Sequence, residues 1–368
     1  GVFALEGAPI RAIRHSMIRA SILGLGSYVP ERVVTNEEIP FLDARHVRQA
    51  EQRTETNDAW IRTRTGIEER RYVPNDGSWS TSDLAVEAAE RALDDAGVDA
   101  AEIDCIILGT LSPDIHFPGT AVFVQEKLGI AGEEGCACYD IRQQCSAFVY
   151  GLEMADAFIR TGKYEKVLLI GSEIHSWSLD YSTRGRDVMV RFGDGAGAMV
   201  LGREETEDET AGVLYTHAQA DGGGAWNLYL KVFDTSRSPI VSYDPHDRAQ
   251  NRDLYPTMVG KRVFLHAVRN MVVATNRALA KTGLTWDDID WFVPHQANLR
   301  INEQVVEYAE IPPDKALNSI MFYGNTTAAT VPLTIDHWRR EGRVKKGDLV
   351  LSTVFGSGFT WGSAIFRL

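Results

Sequence analysis

The sequence predicts an α/β protein made of two similar halves related by a pseudo-two-fold axis. Residues 89–110 align without a gap on residues 275–296. In each copy an amphipathic helix ends at a glycine, and a short linker with acidic residues then leads into an apolar strand. The glycine-rich segments 193–202 and 355–368 form a second matching pair, and each is predicted to be the strand that closes its half.

A further correspondence concerns two predicted helix starts. Helical patterns follow Cys145 and Asn325, and both end at a glycine, Gly162 or Gly342, after the same number of residues. The duplication therefore predicts that Cys145 and Asn325 occupy equivalent helix N-termini.

These patterns divide the chain into three parts. Residues 1–16 are predicted to be a leader or a disordered extension, because Met17 directly precedes a strand-like run. The N-terminal half is expected at 17–203 and the C-terminal half at 211–368, separated by an acidic connector that is typical of a solvated linker.

Composition narrows the functional class. The 368 residues are 44% hydrophobic and 24% charged, as in ordinary globular proteins, and no run approaches the ~18 apolar residues of a membrane span. The net charge of −13 disfavours nucleic acid and anionic membranes as partners. Arg11 and Arg14 interrupt the N-terminal region where a secretion signal needs apolar residues, so we expect a cytoplasmic location.

The four cysteines, at positions 105, 136, 138 and 145, indicate a reducing compartment rather than a disulfide framework. Cys136 and Cys138 are not followed by a second Cys/His pair at ligand spacing, so we predict no metal site. The glycine-rich segments lack the lysine and the spacing of phosphate-binding loops. We accordingly predict no cofactor.

Cys145 is the candidate nucleophile. A helix N-terminus favours the thiolate and lowers the pKa of a thiol, whereas a buried thiol is usually only a small hydrophobe. The second interpretation suits Cys105, which lies inside an apolar strand. The duplication favours the first interpretation for Cys145.

Two polar residues of the C-terminal half are expected near this thiol. His295 follows Pro294 at a strand end, and Asn325 is either a helix cap or a donor into a pocket, or both. Sites in α/β proteins form outside the carboxyl ends of strands. A two-fold relation between the halves would bring both residues to Cys145.

Several segments, in this order, resemble the β-ketoacyl-ACP synthase III family of the thiolase-like superfamily. They are GLGSYVPERVVTNEEI, TNDAWIRTRTGIEERR, the Cys145 segment with FVYGLEMA, DVMVRFGDGAGAMVL, VPHQANLRI, GNTTAAT and FGSGFTWGSAI. The resemblance implies a thiolase-like αβαβα layered fold, a homodimer, and a catalytic triad of Cys145, His295 and Asn325.

The resemblance also implies a reaction, the decarboxylative Claisen condensation that initiates fatty acid biosynthesis. Cys145 would take an acyl group from acyl-CoA, with the backbone N–H groups of Cys145 and Ser357 as the oxyanion hole. Malonyl-ACP would then lose CO₂, and His295 Nε2 and the Asn325 amide would donate hydrogen bonds to the enolate. Attack on the acyl-cysteine would give 3-oxoacyl-ACP by ping-pong kinetics.

Further binding residues are implied by the same family. Phe117 would reach across the dimer and close the acyl pocket. The residues implied at the CoA and acyl-carrier-protein (ACP) end are Trp60, Arg64, Arg184, Lys261, Asn298 and Arg300.

The sequence departs from the family pattern in four places. Arg142-Gln143-Gln144 precede the nucleophile where small residues are usual, and Asp221–Met258 is longer than usual. Lys261 stands where asparagine is common, and Ser357 replaces a glycine. We therefore expect a primer that is longer than acetyl or otherwise unusual.

Alternative functions stay open on the sequence. A synthase III-like enzyme of secondary metabolism would condense two acyl units, make a quinolone-type precursor or transfer the acyl group to oxygen or nitrogen. A non-catalytic thiolase-fold scaffold would not need the triad. A degradative thiolase needs a second catalytic cysteine, and none follows Cys145.

Overall fold

The structure of the protein is a computed structural model, which describes residues 16–42, 54–232, 234–236 and 252–368. The predicted leader lies outside the described residues except for Ser16, and so does most of the long insertion after Ser236. Met17 is the first residue of a strand, as the sequence predicts.

The elements alternate between strands and helices. The strands are β1 (Met17–Tyr28), β2 (Val33–Thr35), β3 (Glu69–Arg71), β4 (Cys105–Gly109), β5 (Ala137–Ile141), β6 (Lys166–Glu173), β7 (Gly195–Thr206), β8 (Val213–Ala220), β9 (Leu228–Tyr229), β10 (Thr257–Met258), β11 (Trp291–Pro294), β12 (Leu349–Gly356) and β13 (Thr360–Arg367). The α-helices are α1 (Asp58–Thr65), α2 (Thr81–Ala96), α3 (Thr120–Lys127), α4 (Ala147–Arg160), α5 (Arg186–Met189), α6 (Gly260–Thr282), α7 (Leu299–Tyr308), α8 (Ile320–Tyr323) and α9 (Thr330–Arg340).

Two sheets repeat one topology and confirm the two-fold related halves. The first has the strand order β1-β7-β6-β4-β5 and the second β8-β13-β12-β11. In each sheet the first three strands are antiparallel, and the next pair, β6 with β4 or β12 with β11, is parallel. The sheets differ in that β5 adds an edge strand to the first.

The aligned segments found in the sequence form equivalent elements. Helices α2 and α6 end at Gly97 and Gly283, both left-handed with φ of 64° and 73°. Such a C-cap favours glycine because a Cβ atom is sterically unfavourable in the left-handed conformation. Strands β4 and β11 follow, and each is the fourth strand in the order of its sheet.

Helices and sheets stack in five layers. Helices α2 and α3 pack on the outer face of the first sheet, and α6 and α7 on the outer face of the second. Helices α4 and α9 lie between the sheets, where α4 contacts strands of both. One apolar cluster joins this middle layer, with Phe148 and Leu152 of α4 against Leu169 and Val350 of the two sheets. The αβαβα fold class is thereby confirmed.

The middle-layer helices differ from the predicted register. Both end before a left-handed glycine, Gly162 or Gly342, as expected. However, α4 has 14 residues and α9 has 11, because α9 begins three residues later relative to that glycine. The prediction that Cys145 and Asn325 occupy equivalent positions is therefore wrong. The backbone equivalent of Cys145 is Ala328.

The linker between the halves is partly structured. Strand β7 extends to Thr206 and pairs with Met17 of β1, so the start of the acidic connector belongs to a sheet. The half boundaries at 17–203 and 211–368 stay a prediction. Across the described ranges, each helix is either too short or too polar to cross a membrane.

Candidate active site

Cys145 lies in a strained turn between β5 and α4. A single 3₁₀ turn, Gln144–Ser146, precedes the helix, and Gln144 adopts a left-handed φ of 46°. That conformation is costly for a residue other than glycine and occurs preferentially at functional sites. The thiol-bearing residue is only 8% exposed.

A turn of the same shape faces it from the other half. The 3₁₀ turn Thr327–Ala329 begins with Thr327 at φ 51° and leads into α9. The two turns contact each other, and each packs on the central strand of the opposite sheet. A methyl group on Gly356 of β12 would come within 3.2 Å of the backbone nitrogen and of Cβ of Cys145, so the close approach of β12 to this turn favours glycine.

The Asn325 side chain is held in one orientation. Its Oδ1 accepts a 2.8 Å hydrogen bond from the Thr327 backbone N–H, and its own backbone N–H donates to the Arg191 carbonyl at 2.8 Å. The amide NH₂ group is thus the part free to donate, and it interacts with the Cys145 thiol. Asn325 therefore caps the turn and serves the site at once, as one of the sequence interpretations proposed.

His295 lies at the end of β11, close to the Cys145 thiol and the Asn325 amide. Its backbone N–H donates to the Thr353 carbonyl at 2.8 Å, and its Nδ1 lies 2.7 Å from Thr330 Oγ1. The Thr330 hydroxyl donates its hydrogen to the Thr327 carbonyl at 3.0 Å. It must therefore accept from His295 Nδ1–H, which assigns the proton to Nδ1.

This tautomer leaves His295 Nε2 with a lone pair. The Nε2 atom is buried and has no hydrogen-bond partner within the described residues. It can accept a proton as it stands. The hydrogen bond to an enolate that the resemblance implies requires that Nε2 first gain a proton.

Burial keeps both groups neutral. Burial, with a smaller contribution from the charge of Glu173, raises the pKa of the Cys145 thiol to about 12. Hydrogen bonds from the Cys145 backbone N–H and the Asn325 amide only partly oppose this rise. Burial likewise lowers the pKa of His295 to about 3. The expected lowering of the thiol pKa by the helix terminus is thus outweighed by desolvation.

Ser357 lies beside the nucleophile. It follows β12, and its Oγ donates a 2.6 Å hydrogen bond to the carbonyl of Leu228. Ser357 and Cys145 line the same cavity, which is the arrangement that an oxyanion hole of two backbone N–H groups needs. The hydroxyl is engaged elsewhere, so only the backbone of Ser357 is available for that role.

Two cavities meet at Cys145. The narrower one has a volume of about 80 Å³, and its lining includes Met258, Phe264, His295, Asn298 and Asn325. The larger one, here called the acyl chamber, has a volume of about 580 Å³. Its lining residues are Ser80, Thr81, Leu111, Ser112, Pro113, Asp114, Ile115, His116, Arg142, Gln144, Cys145, Ile174, His175, Trp177, Ser178, Phe192, Leu228, Tyr229, Leu230, Val232, Pro256 and Ser357.

Two guanidinium groups lie over the Trp60 ring, and sequence analysis did not identify one of them, Arg186. Arg64 lies 4.4 Å from the ring centroid, and Arg186 lies 4.7 Å from it. Arg184 instead pairs with Asp180 at 2.6 Å and lies 5.8 Å from the Tyr255 ring. Arg186, the first residue of α5, is therefore a further cation beside Trp60, and the role of Arg184 stays a prediction.

The remaining predicted residues are distributed between the cavity and the surface. Asn298 is buried in the narrow cavity and caps α7 by accepting from the Arg300 N–H at 2.9 Å. Arg300 is exposed and paired with Glu303, and Lys261 is exposed in the first turn of α6. Phe117 is 79% exposed and lines neither cavity of its own chain.

Two buried polar residues near the site had no signal in the sequence. Glu173, at the end of β6, accepts hydrogen bonds from the N–H groups of Leu111 and Ser112 and the hydroxyl of Ser112. Burial raises the pKa of Glu173 to about 7. His175 lines the acyl chamber, lies 4.5 Å from the Phe192 ring and bonds Thr327 Oγ1 through Nε2 at 2.5 Å.

Metal-ligating side chains do not cluster in the described part of the chain. No group of three or more His, Cys, Asp or Glu residues there could hold a metal ion. All four cysteines are free thiols.

Family models match both halves of the chain. The model described as 3-oxoacyl-[acyl-carrier-protein (ACP)] synthase III matches residues 139–222, and its C-terminal companion matches residues 279–368. The first match spans Cys145, and the second spans His295 and Asn325.

Similar proteins cover nearly the whole chain. The beta-ketoacyl-[acyl-carrier-protein] synthase III of Hyphomonas neptunium is 44% identical over 351 residues, which are 95% of this chain and 99% of that protein. The enzyme of the same name from Bradyrhizobium diazoefficiens is 43% identical over 353 residues, covering 95% and 99%.

Solved structures of similar proteins share the fold of this chain. The synthase III from Aquifex aeolicus superposes with a TM-score of 0.80 at 36% identity, covering 95% of this chain and all of that one. A priming β-ketosynthase from a polyketide biosynthetic pathway gives a TM-score of 0.80 at 30% identity, covering 98% and 99%.

Proposed function

Because the chain belongs to the 3-oxoacyl-[acyl-carrier-protein] synthase III family, we propose that it condenses an acyl group from acyl-CoA with malonyl-ACP. The products are 3-oxoacyl-ACP, CoA and CO₂, and the reaction initiates fatty acid synthesis. The chain is thus an acyltransferase. The observation that carries this proposal is the meeting of a thiol, an imidazole and an amide where two cavities join.

In the first half-reaction the Cys145 sulfur attacks the thioester carbonyl of acyl-CoA. The thiol proton passes to the free lone pair of His295 Nε2, because the thiol is neutral at rest. The backbone N–H groups of Cys145 and Ser357 stabilise the oxyanion. The carbon–sulfur bond to CoA then breaks, and the proton passes from His295 to the leaving thiolate.

In the second half-reaction malonyl-ACP enters, and its C–CO₂ bond breaks. His295 Nε2 takes up one proton from solvent as the malonyl carboxylate enters. The electron pair of the broken bond forms an enolate, whose oxygen accepts hydrogen bonds from the Asn325 amide and from the protonated Nε2. The enolate carbon attacks the acyl-cysteine and expels the Cys145 thiolate. That thiolate takes the Nε2 proton, which accounts for the one proton that decarboxylation consumes.

The substrate entrance follows from the same geometry. The narrow cavity suits an extended thiol arm, with the Asn298 amide beside it. Trp60, Arg64 and Arg186 group an aromatic ring with two cations, which suits the adenine and the phosphates of CoA. Arg300 and Lys261 are exposed cations suited to an acidic carrier protein. The proposed reaction needs no metal or organic cofactor, and CoA thioester substrates favour a cytoplasmic location.

A homodimer completes the proposal. Strand β5 is an edge strand whose Tyr139 is exposed, and the loop between β4 and α3 exposes Ile115 (50%) and Phe117 (79%). Monomers rarely leave such a surface uncovered beside an open sheet edge. A second copy seated on this edge would bring its Phe117 towards the acyl chamber.

Intact-protein mass spectrometry tests the proposal. The wild-type chain is incubated with a panel of acyl-CoAs, and the adduct is mapped by peptide digestion. We expect one acyl adduct on Cys145, which is lost in Cys145→Ala and retained in Cys136→Ala. Addition of malonyl-ACP should then release 3-oxoacyl-ACP. Unlabelled Cys145 with every acyl-CoA would refute the catalytic role.

A second candidate function is favoured by one observation. The acyl chamber is large and carries several polar side chains, which suits a primer other than acetyl in secondary metabolism. Product analysis with malonyl-ACP and malonyl-CoA in parallel distinguishes the two candidates. A product on CoA, or a product of acyl–acyl condensation, would favour this second function.

A further inference from the structure

The acyl chamber contains a cation without a counter-ion. Arg142, an exposed residue three positions before Cys145, lines the mouth of the chamber, and its guanidinium makes no hydrogen bond or ion pair with any described residue. Gln144 lines the same chamber, and its amide is likewise unpaired in the described chain. Together they present a charged donor and a neutral donor to the cavity.

Most of the other chamber walls are apolar or already satisfied. Ile174, Phe192, Leu228 and other large side chains supply apolar surface. Both oxygens of Asp114 accept hydrogen bonds from Ser82, at 2.8 Å from its N–H and 2.5 Å from its hydroxyl. His175 Nε2 is bonded to Thr327, and burial lowers the pKa of His175 to about 3, so this ring is neutral.

Such a wall favours a ligand with an apolar stem and an anionic end. A guanidinium matches a carboxylate through two parallel charge-assisted hydrogen bonds. Residues 142 and 145 are separated by three peptide units, so their Cα atoms lie at most ~11 Å apart. A carboxylate near Arg142 is therefore reached by a short chain attached to the Cys145 sulfur.

We propose that the acyl chamber selects the CoA monothioester of a short dicarboxylic acid, of about four to six carbons, and that Arg142 binds its distal carboxylate. Gln144 adds a neutral donor to the same end. The proposal rests on the proposed function, since it specifies the acyl group that Cys145 accepts. The distal carboxylate takes no part in bond exchange; only the thioester carbonyl moves from CoA to Cys145.

The test compares charged and neutral acyl groups of equal shape. Succinyl-CoA is paired with 4-methylpentanoyl-CoA and glutaryl-CoA with 5-methylhexanoyl-CoA, because an isopropyl group matches a carboxylate in shape. The rate of Cys145 acylation is measured by mass spectrometry for wild type, Arg142→Met and the control Gln143→Met, whose residue does not line the chamber.

We expect wild type to prefer the charged member of a pair by about tenfold to a hundredfold, the range that a hydrogen bond to a charged group supplies. Arg142→Met should abolish or reverse this preference, and Gln143→Met should retain it. Size-exclusion chromatography checks that the Arg142→Met chain keeps its oligomeric state.

Three results would overturn the inference. A wild-type preference for the neutral members, or a preference that survives Arg142→Met, removes Arg142 from acyl recognition. A change of oligomeric state in Arg142→Met without a change of preference assigns this residue to an interface instead. The proposed function has a separate readout, which is acylation of Cys145 by any acyl-CoA. If neither acetyl-CoA nor any of these four acyl-CoAs acylates Cys145, the proposed function fails, and the inference fails with it.

Discussion

The two turns that meet at the active centre share a backbone and differ in chemistry. Gln144–Ser146 and Thr327–Ala329 are both single 3₁₀ turns that begin with a left-handed residue and lead into a middle-layer helix. The first carries a thiol at its second position, and the second carries Ala328 there. The second half places its functional groups outside the turn instead, on Asn325 and at the end of β11.

This difference teaches how a duplicated scaffold divides one reaction. In the proposed reaction, the turn of the first half supplies the atom that forms covalent bonds. The second half supplies an oriented amide, which stabilises negative charge, and an imidazole, which transfers protons. The two half-reactions should therefore be separable by substitution, because each depends chiefly on one side of the site.

The largest expected effect comes from removing the nucleophile. In Cys145→Ala, condensation should fall by at least about 10⁴-fold, because no acyl-enzyme can form. Decarboxylation of malonyl-ACP should persist, because Asn325 and His295 remain. Release of CO₂ from labelled malonyl-ACP is the measurement. Loss of decarboxylation together with condensation would show that the halves do not act separately.

The converse substitution is Asn325→Ala. Decarboxylation and condensation should fall about 10²- to 10³-fold, the usual cost of one oxyanion donor. Acylation of Cys145 by acyl-CoA should change only a few fold, since it uses other donors. Single-turnover acylation followed by mass spectrometry measures this, with Asn318→Ala, outside both cavities, as the control. An equal loss in both steps would contradict the division.

Glu173, in the half that carries the thiol, makes the stability of the protein depend on pH. Burial raises the pKa of Glu173 from 4.5 to about 7, so the folded state holds this proton more tightly than the unfolded chain. The stability from this group is complete below pH ~4.5 and is lost as the pH rises to about 7, by up to ~3 kcal/mol.

Glu173→Gln should therefore flatten the pH dependence of the free energy of unfolding in that window. The measurement is denaturant unfolding at several pH values, with the exposed Glu90→Gln as the control. Asp194, whose pKa burial raises to about 6, should keep a smaller slope of the same sign. An unchanged slope in Glu173→Gln would show that the burial of this carboxyl costs nothing.

The smallest expected effect compares the turns directly. Gln144→Gly and Thr327→Gly should each relieve left-handed strain and stabilise the protein by up to about 1 kcal/mol. Thr327→Gly also loses the His175 hydrogen bond, so its gain should be smaller. Thermal unfolding measures both, and a larger gain for Thr327→Gly would contradict this ranking.

Much of the fold and the central residues could be predicted from the sequence. Repeated helix–glycine–strand segments report local backbone preferences, so α2 with β4 and α6 with β11 were found correctly. The placing of Cys145, His295 and Asn325 together followed from strand ends and helix starts. The register of Asn325 was wrong because equal spacing to a glycine concealed a helix three residues shorter.

What the sequence missed depends on tertiary packing. Arg186 lies over Trp60 because of where α5 begins, and no local pattern in the sequence indicates this contact. The pKa of Cys145 depends on how completely the surrounding chain excludes water, which no local pattern reports. The same holds for Glu173, whose partners come from a loop more than sixty residues away.

The hydrogen bond from Ser357 to Leu228 has a consequence for how this enzyme could diversify. It ties the loop beside the nucleophile to β9, and Tyr229, Leu230 and Val232, which follow at once, form part of the acyl chamber. A substitution there that admits a different acyl chain also shifts the anchor of the Ser357 loop. A change in substrate range therefore also affects turnover. We expect relatives with new specificities to carry compensating changes at position 357 or 228.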